Sequence, residues 1–126
     1  MNRKPFPFEK LEVWQDARGL VKSVYKQTKS FPMAELFGLV SQLNRAAVSV
    51  ASNLAAGSVH GSFKDQAHFS SLAYGSLMEG ACQIIPSNDL GFIESDCADP
   101  LLSNMQDLSV HIHNLRESQF HRAARN

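Results

Sequence analysis

Between Leu36 and Gly57 the chain reads LFGLVSQLNRAAVSVASNLAAG, a segment that few folds can accommodate. Leu36, Val40, Leu43, Ala47, Val50 and Leu54 are spaced alternately by four and three, the seam of a helix packed at coiled-coil geometry. A second apolar set, Leu39, Ala46, Val48, Ala51 and Ala55, lies off that seam. The apolar surface is therefore broader than the stripe, roughly 100° wide, of an ordinary surface helix. The spacing predicts a helix over 35–57 covered on more than one side. Leu39, Ala46, Val48, Ala51 and Ala55 are expected either in the core or at an interface with another copy of the chain.

The flanking sequence supplies partners of the same kind. A helix over about 9–30 carries Val13, Ala17, Leu20 and Val24 as its stripe, widened by Trp14, Val21 and Tyr25. Its acids, Glu9, Glu12 and Asp16, come early and its bases, Lys22, Lys26 and Lys29, come late, an order that suits the helix dipole. Pro32 ends it by disfavouring helical angles at Phe31. Gly57 reads as a C-terminal glycine of the second helix. A third helix over 62–85 opens on the capping signal of Ser62 and Asp65 and carries Phe69, Leu72, Ala73, Leu77, Ala81 and Ile84. Its Gly75, Ser76 and Gly80 admit a close neighbour, although each mid-helix glycine costs about 0.5–1 kcal/mol relative to alanine. Pro86 predicts a kink or an end near Ile85, with a turn over 88–91. A fourth helix over 99–118 has Asp99 as N-cap and Pro100 in its first turn. Leu101, Met105, Leu108, Ile112 and Leu115 form its seam. Residues 1–8 and 119–126 read as flexible ends. The expected architecture is all-α: a single-domain, up-down-up-down, left-handed four-helix bundle over 1–126.

Composition narrows the function classes. At 126 residues the chain is one domain and can bury a core without metal or disulfide. Twelve basic and twelve acidic residues cancel, so attraction to nucleic acid must come from a local patch. Cys82 and Cys97 stand apart and read as small buried hydrophobes of a reducing cytoplasm rather than as a bridge. MNRKPFPFEK lacks the apolar run of a secretory leader, and no run approaches the roughly 20 residues of a membrane span. The expected location is cytoplasmic.

Several stretches, taken in order, carry a family resemblance. They are Lys10-Leu11-Glu12-Val13-Trp14-Gln15, Phe31-Pro32, Phe37-Gly38-Leu39, Ser41 to Val50 (SQLNRAAVSV) and Asn53-Leu54-Ala55. Gly75-Ser76-Leu77 with Glu79 and Gln83 follows, then Asp89-Leu90-Gly91-Phe92-Ile93. The chain resembles the four-helix-bundle family named after proteins encoded in 23S rRNA intervening sequences, also labelled S23-type. The resemblance implies an up-and-down bundle that assembles as a homopentameric ring, in a family of mostly uncertain function. A similar accessory protein of diversity-generating retroelements binds nucleic acid and a reverse transcriptase. The chain departs from the family pattern at Asn44, where a second base is usual, and at Ala51, Ala56, Gly80 and Pro86. The missing base weakens a nucleic-acid reading, and Gly80 and Pro86 unsettle the end of the third helix.

Candidate constellations read mostly as structural. Arg18, Lys22, Lys26 and Lys29 share one face of the first helix. They form either a solvated face or a stripe that follows a phosphate backbone. Arg116, His121, Arg122 and Arg125 make the C-terminal end basic, with Arg3 and Lys4 at the other terminus. An up-down bundle brings both termini to one end, where a ring can pool them. Arg45, in the most apolar helix, is expected to pair with a carboxylate such as Glu79 or to contact a neighbouring subunit; a phosphate contact is the alternative. His111 and His113, two apart on a helix, diverge and cannot grip one ion. No nucleophile sits beside a base and an orienting acid. The sequence therefore reads as a non-enzymatic, homo-oligomeric binding or scaffold protein without cofactor or metal. The alternative is an accessory protein that binds RNA or DNA through Arg18, Lys22, Lys26, Lys29, Arg45, Arg116, Arg122 and Arg125.

Overall fold

Four segments bury an apolar stripe along a whole helix. In the computed structural model, which describes residues 2–125, they are α1 (Glu12–Thr28), α2 (Ser41–Ser58), α3 (Phe63–Asp89) and α4 (Ser95–Ala124). No strand occurs among the described residues. A 3₁₀ turn, Pro7–Lys10, leads into α1. A second, Met33–Glu35, followed by a wide π turn, Leu36–Val40, leads into α2.

Side-chain contacts set the course of the chain. Thr28, at the end of α1, donates to Asn44 Oδ1 near the start of α2 at 3.0 Å. The hydroxyls of Ser49 and Ser76 meet at 2.8 Å, and Gln83 donates to Gln42 at 3.2 Å, so α2 and α3 are antiparallel. Ser70 donates to Gln119 at 2.6 Å, which pairs the first half of α3 with the last turns of α4. Phe31 and Phe92 lie 5.8 Å apart, so the α1–α2 and α3–α4 connections share one end of the bundle, here called the upper end. The course is up-down-up-down.

The two four-three seams meet in this interior. Leu43, Ala47, Val50 and Leu54 of α2 pack with Leu101, Met105, Leu108 and Ile112 of α4 in one buried cluster. Ala17, Leu20 and Val24 of α1 and Ala73, Leu77 and Ile84 of α3 complete it. Each fully buried Leu, Ile or Val contributes about 1.5–3 kcal/mol by leaving water. Leu36, Tyr25 and Leu72, expected on apolar stripes, are instead exposed.

Small residues set how near the helices come. A Cβ at Gly57 would stand 2.9 Å from Phe69 Cβ, and one at Gly80 would stand 3.1 Å from Met105 Cε and 3.7 Å from Ala46 Cβ. Gly57 is thus an interior residue of α2 at a close crossing with α3, not a terminating glycine; the cap is Val59, in a right-handed conformation. Ser62 caps α3 as expected, accepting from Asp65 N–H at 3.0 Å.

Both prolines prove compatible with helix. α3 runs through Pro86, whose ring faces solvent, to Asp89. What stops it is Gly91, at φ +80°. Phe92 N–H donates to Ser87 O at 2.9 Å and Gly91 N–H to Asn88 O at 3.0 Å, the paired bonds of a Schellman motif. α4 starts at Ser95 rather than at Asp99, so Pro100 lies inside it. Burial of Ile93 and Ala98 draws the chain inward before the proline is reached, and Asn88 Nδ2 holds the entry by donating to Ile93 O at 2.9 Å. The stretch from Gln119, expected to be a flexible end, is helical to Ala124 because Gln119 is buried against Ser70. Asn126 lies outside the described residues.

Gly57→Ala will destabilise the protein by about 1–3 kcal/mol, because Phe69 Cβ cannot swing away as a flexible tip would. Gly19→Ala, on exposed α1 with nothing within 4 Å of the added carbon, will stabilise it by about 0.5–1 kcal/mol. Urea denaturation followed by circular dichroism reads both; equal effects of one sign would refute the packing account.

Candidate interaction surfaces

Glycine and glutamate at the entry to α2 create the most exposed apolar surface of the described chain. Gly38 adopts φ −109°, ψ −111°, outside the helical region, and Glu35 accepts from Leu39 N–H at 3.4 Å. The resulting π turn changes the angle at which the preceding residues leave the helix. Leu36 is carried off the seam that its spacing suggests, Phe37 is 92% exposed and Met33 is 85% exposed. With Tyr25 of α1 and Val40, Asn44, Arg45 and Val48 of α2, Leu36 and Phe37 line a hollow of about 610 Å³. A smaller hollow of about 260 Å³ adjoins it and reaches Thr28, Lys29 and Met33. Together they form an apolar shelf with Lys29 and Arg45 at its margins. The helix expected from residue 35 thus begins regularly only at Ser41, because the backbone at Gly38 leaves the helical region.

The five off-seam residues of the second helix separate in space. Ala46 is buried within the protomer, facing Gly80 of α3. Leu39 and Ala51 are half-buried against the core, and Ala55 is half-buried. Val48 is 40% exposed and belongs to the shelf. Only Val48 of the five offers a neighbour a substantial apolar surface.

The basic candidates divide into two groups. Arg18, Lys22, Lys26 and Lys29 are exposed along α1, with the Arg18 guanidinium 5.7 Å from the Trp14 ring centre. Arg45 sits near Lys29 at the shelf and makes no ion pair with Glu79. The ion pairs of the described residues are Arg3–Glu9 and Arg116–Glu117, and His111 contacts Asp16. Position 45 instead faces the α1 side of α2, beside Tyr25, while Glu79 accepts from Gln83 of its own helix. At the lower end Arg116 lies 5.3 Å from the Tyr74 ring centre and Arg122 lies 5.4 Å from that of Phe63. Arg125 is exposed beyond them. Each stacked guanidinium gains about 0.5–1 kcal/mol at such exposed sites.

α1 and α4 leave a groove of about 570 Å³ between them, lined by Gln15, Asp16, Gly19, Asn104, Asp107 and His111 among others. His111 Nδ1 and Asp16 Oδ2 lie 3.2 Å apart across it. His113 contacts Arg116 instead. The two histidines therefore point to different partners, and no three His, Cys, Asp or Glu side chains converge on one point among the described residues. No described helix is long and apolar enough to cross a membrane.

At the lower end the N-terminal segment is clamped. Arg3 donates twice to Glu9, at 2.8 and 2.6 Å, and Phe6 N–H donates to the same carboxylate. The Arg3 hydrogen bonds, then that of Phe6, hold the Glu9 carboxyl down to about 2, from 4.5. Because the folded value is the lower one, the clamp contributes fully above about 4.5 and is lost as the pH falls toward about 2. Phe8 packs edge-on to Trp14 at 4.9 Å, so Trp14 fluorescence will shift across that window. Glu9→Gln will show the acid-form signal already at neutral pH; an unchanged titration in the variant would exclude the clamp as its origin.

Among curated proteins, none matches the chain. The sequence model of the 23S rRNA-intervening sequence protein family matches residues 9–114. That span runs from the clamp, through the shelf and all three connections, into the second half of α4. The chain belongs to the 23S rRNA-intervening sequence protein family.

Proposed function

We propose that the protein works as a non-enzymatic, self-associating helical bundle that binds or scaffolds other molecules, in the homopentameric ring that the family resemblance implies. The observation that carries this reading is the shelf. Phe37 and Met33 point almost wholly into solvent on an ordered turn, beside Leu36, Tyr25 and Val48. Apolar side chains gathered in this way on a small protein mark a surface that another molecule covers. The cytoplasm is the proposed location, since Cys82 and Cys97, exposed rather than buried as their spacing suggested, are free thiols on separate helices and such thiols persist in reducing compartments. In solution the protein will sediment as a multiple of its 13.9 kDa protomer at micromolar concentration. Phe37→Asp will lower that mass with helicity unchanged. A wild-type protomer that stays single at micromolar concentration would end the reading.

The lower end supports a second reading, an accessory role in binding RNA or DNA. Arg116 and Arg122 are held against aromatic rings there, with Lys64 and Arg125 on the same helices. A ring would repeat this set around its axis. Contacts of that type track phosphates with little sequence preference and weaken steeply with salt. Single-stranded RNA will be retained in a gel at ~50 mM salt and released by ~200 mM, and Arg122→Ala with Arg125→Ala will abolish retention. Failure to retain RNA or DNA at the lower salt would dispose of this reading alone.

A further inference from the structure

Net neutrality conceals a strong separation of charge. From Arg18 to Arg45 the chain has five bases and one acid, Glu35. From Asp65 to Leu115 it has seven acids and no lysine or arginine. The fold assigns these runs to different sides, because α1 and α2 carry the first and α3 and α4 carry the second. The acidic side also has its own exposed apolar surface at the upper end. Leu90 is 61% exposed, Ile85 53% and Met78 39%, and Glu79, Asp89 and Glu94 of the same two helices and their connection are exposed as well.

Resting on the self-association proposed above, we infer that the basic shelf of one protomer receives the acidic end of α3 from a second copy. Lys29 and Arg45 of the shelf face Asp89 and Glu79 of the neighbour, and Phe37 and Leu36 cover Ile85 and Leu90. The two patches differ, so the contact is heterologous, the type that closes into a ring or runs on as a filament. Height along the bundle decides between these. A rotation about an axis parallel to the helices leaves every residue at its own level. Two patches can meet under such a rotation only if they lie at the same level on different sides of the protomer. Both lie at the upper end, where Phe31 and Phe92 join the two connections at 5.8 Å. A contact between patches at opposite ends would instead climb with each added copy. Complementary charge fixes which side meets which and disfavours like-to-like pairing of two shelves.

Charge reversal tests the arrangement by sedimentation. Lys29→Glu with Arg45→Glu removes one face, and Glu79→Lys with Asp89→Lys removes the other. Each double variant alone will sediment as a single protomer with wild-type helicity. Mixed in equal amounts, they will co-assemble past a single protomer, because the basic shelf of one meets the acidic face of the other and the acidic shelf of the other meets its basic face. All four substitutions in one chain will restore the wild-type assembly. If either double variant loses helicity, Phe37→Asp and Ile85→Asp replace them; two aspartates then meet at one of the two contacts, so that mixture will stop at two protomers. A wild-type assembly whose mass neither face variant alters would overturn this pairing and leave self-association standing. A mixture that never exceeds one protomer would overturn it too, whereas a monomeric wild type would remove self-association itself.

Discussion

The near approach of α2 and α3 is the constraint on which the rest of the structure depends. Ser49 touches Ser76, Gly57 lies under Phe69, and Gly80 leaves room for both Ala46 and Met105. Each of these positions is small, and a single extra methylene at such a crossing is felt in a close-packed interior. Glycine inside a helix is a weak helix former, so the two glycines weaken their own helices locally. What they permit is continuous contact along two long antiparallel helices, and dispersion and burial summed over that length outweigh the local loss.

The same constraint shapes the surface. α2 turns its small residues toward α3 and its leucines and valines toward the shared interior, so most of its apolar surface is covered by its own chain. The uncovered remainder lies at its entry, where the π turn at Gly38 holds Leu36 and Phe37 out, and at Val48. The breadth of the apolar pattern thus has two origins. Ala46 and Ala51 answer to a helix of the same protomer, whereas Val48 and the preceding turn face away from it.

Polar chemistry in the described residues serves mainly to hold elements in place. Gln119 gives the buried Ser70 hydroxyl an acceptor and so keeps the last turns of α4 in register. Leaving such a hydroxyl unpaired costs about 1–3 kcal/mol. Asn88 orders the entry to α4, Thr28 ties α1 to α2, and Glu9 gathers the N-terminal segment. Two of the candidate phosphate-binding arginines, Arg116 and Arg122, rest on aromatic rings. Arg18 likewise lies against Trp14, and Arg45 is exposed at the shelf.

Spacing determined the helical class and most of the seams of α2 and α4, because burial of every third or fourth residue is a local consequence of helical geometry; the short connections between the segments gave the antiparallel course. Ser62 as a cap was legible for the same reason, since its hydrogen bond closes within three residues. The helix ends were legible only in part. Pro86 and Pro100 are strong local signals, yet tertiary burial of Ile93, Ala98 and Gln119 outweighs them and lengthens both α3 and α4. The shelf was decided by the tertiary structure alone. Whether Leu36 faces the interior or the solvent depends on the angle between a π turn and the helix after it, and that angle follows from how α1, α2 and α3 pack. The acid-free and base-free runs are written in the chain, but only the bundle sets them on opposing sides at one height.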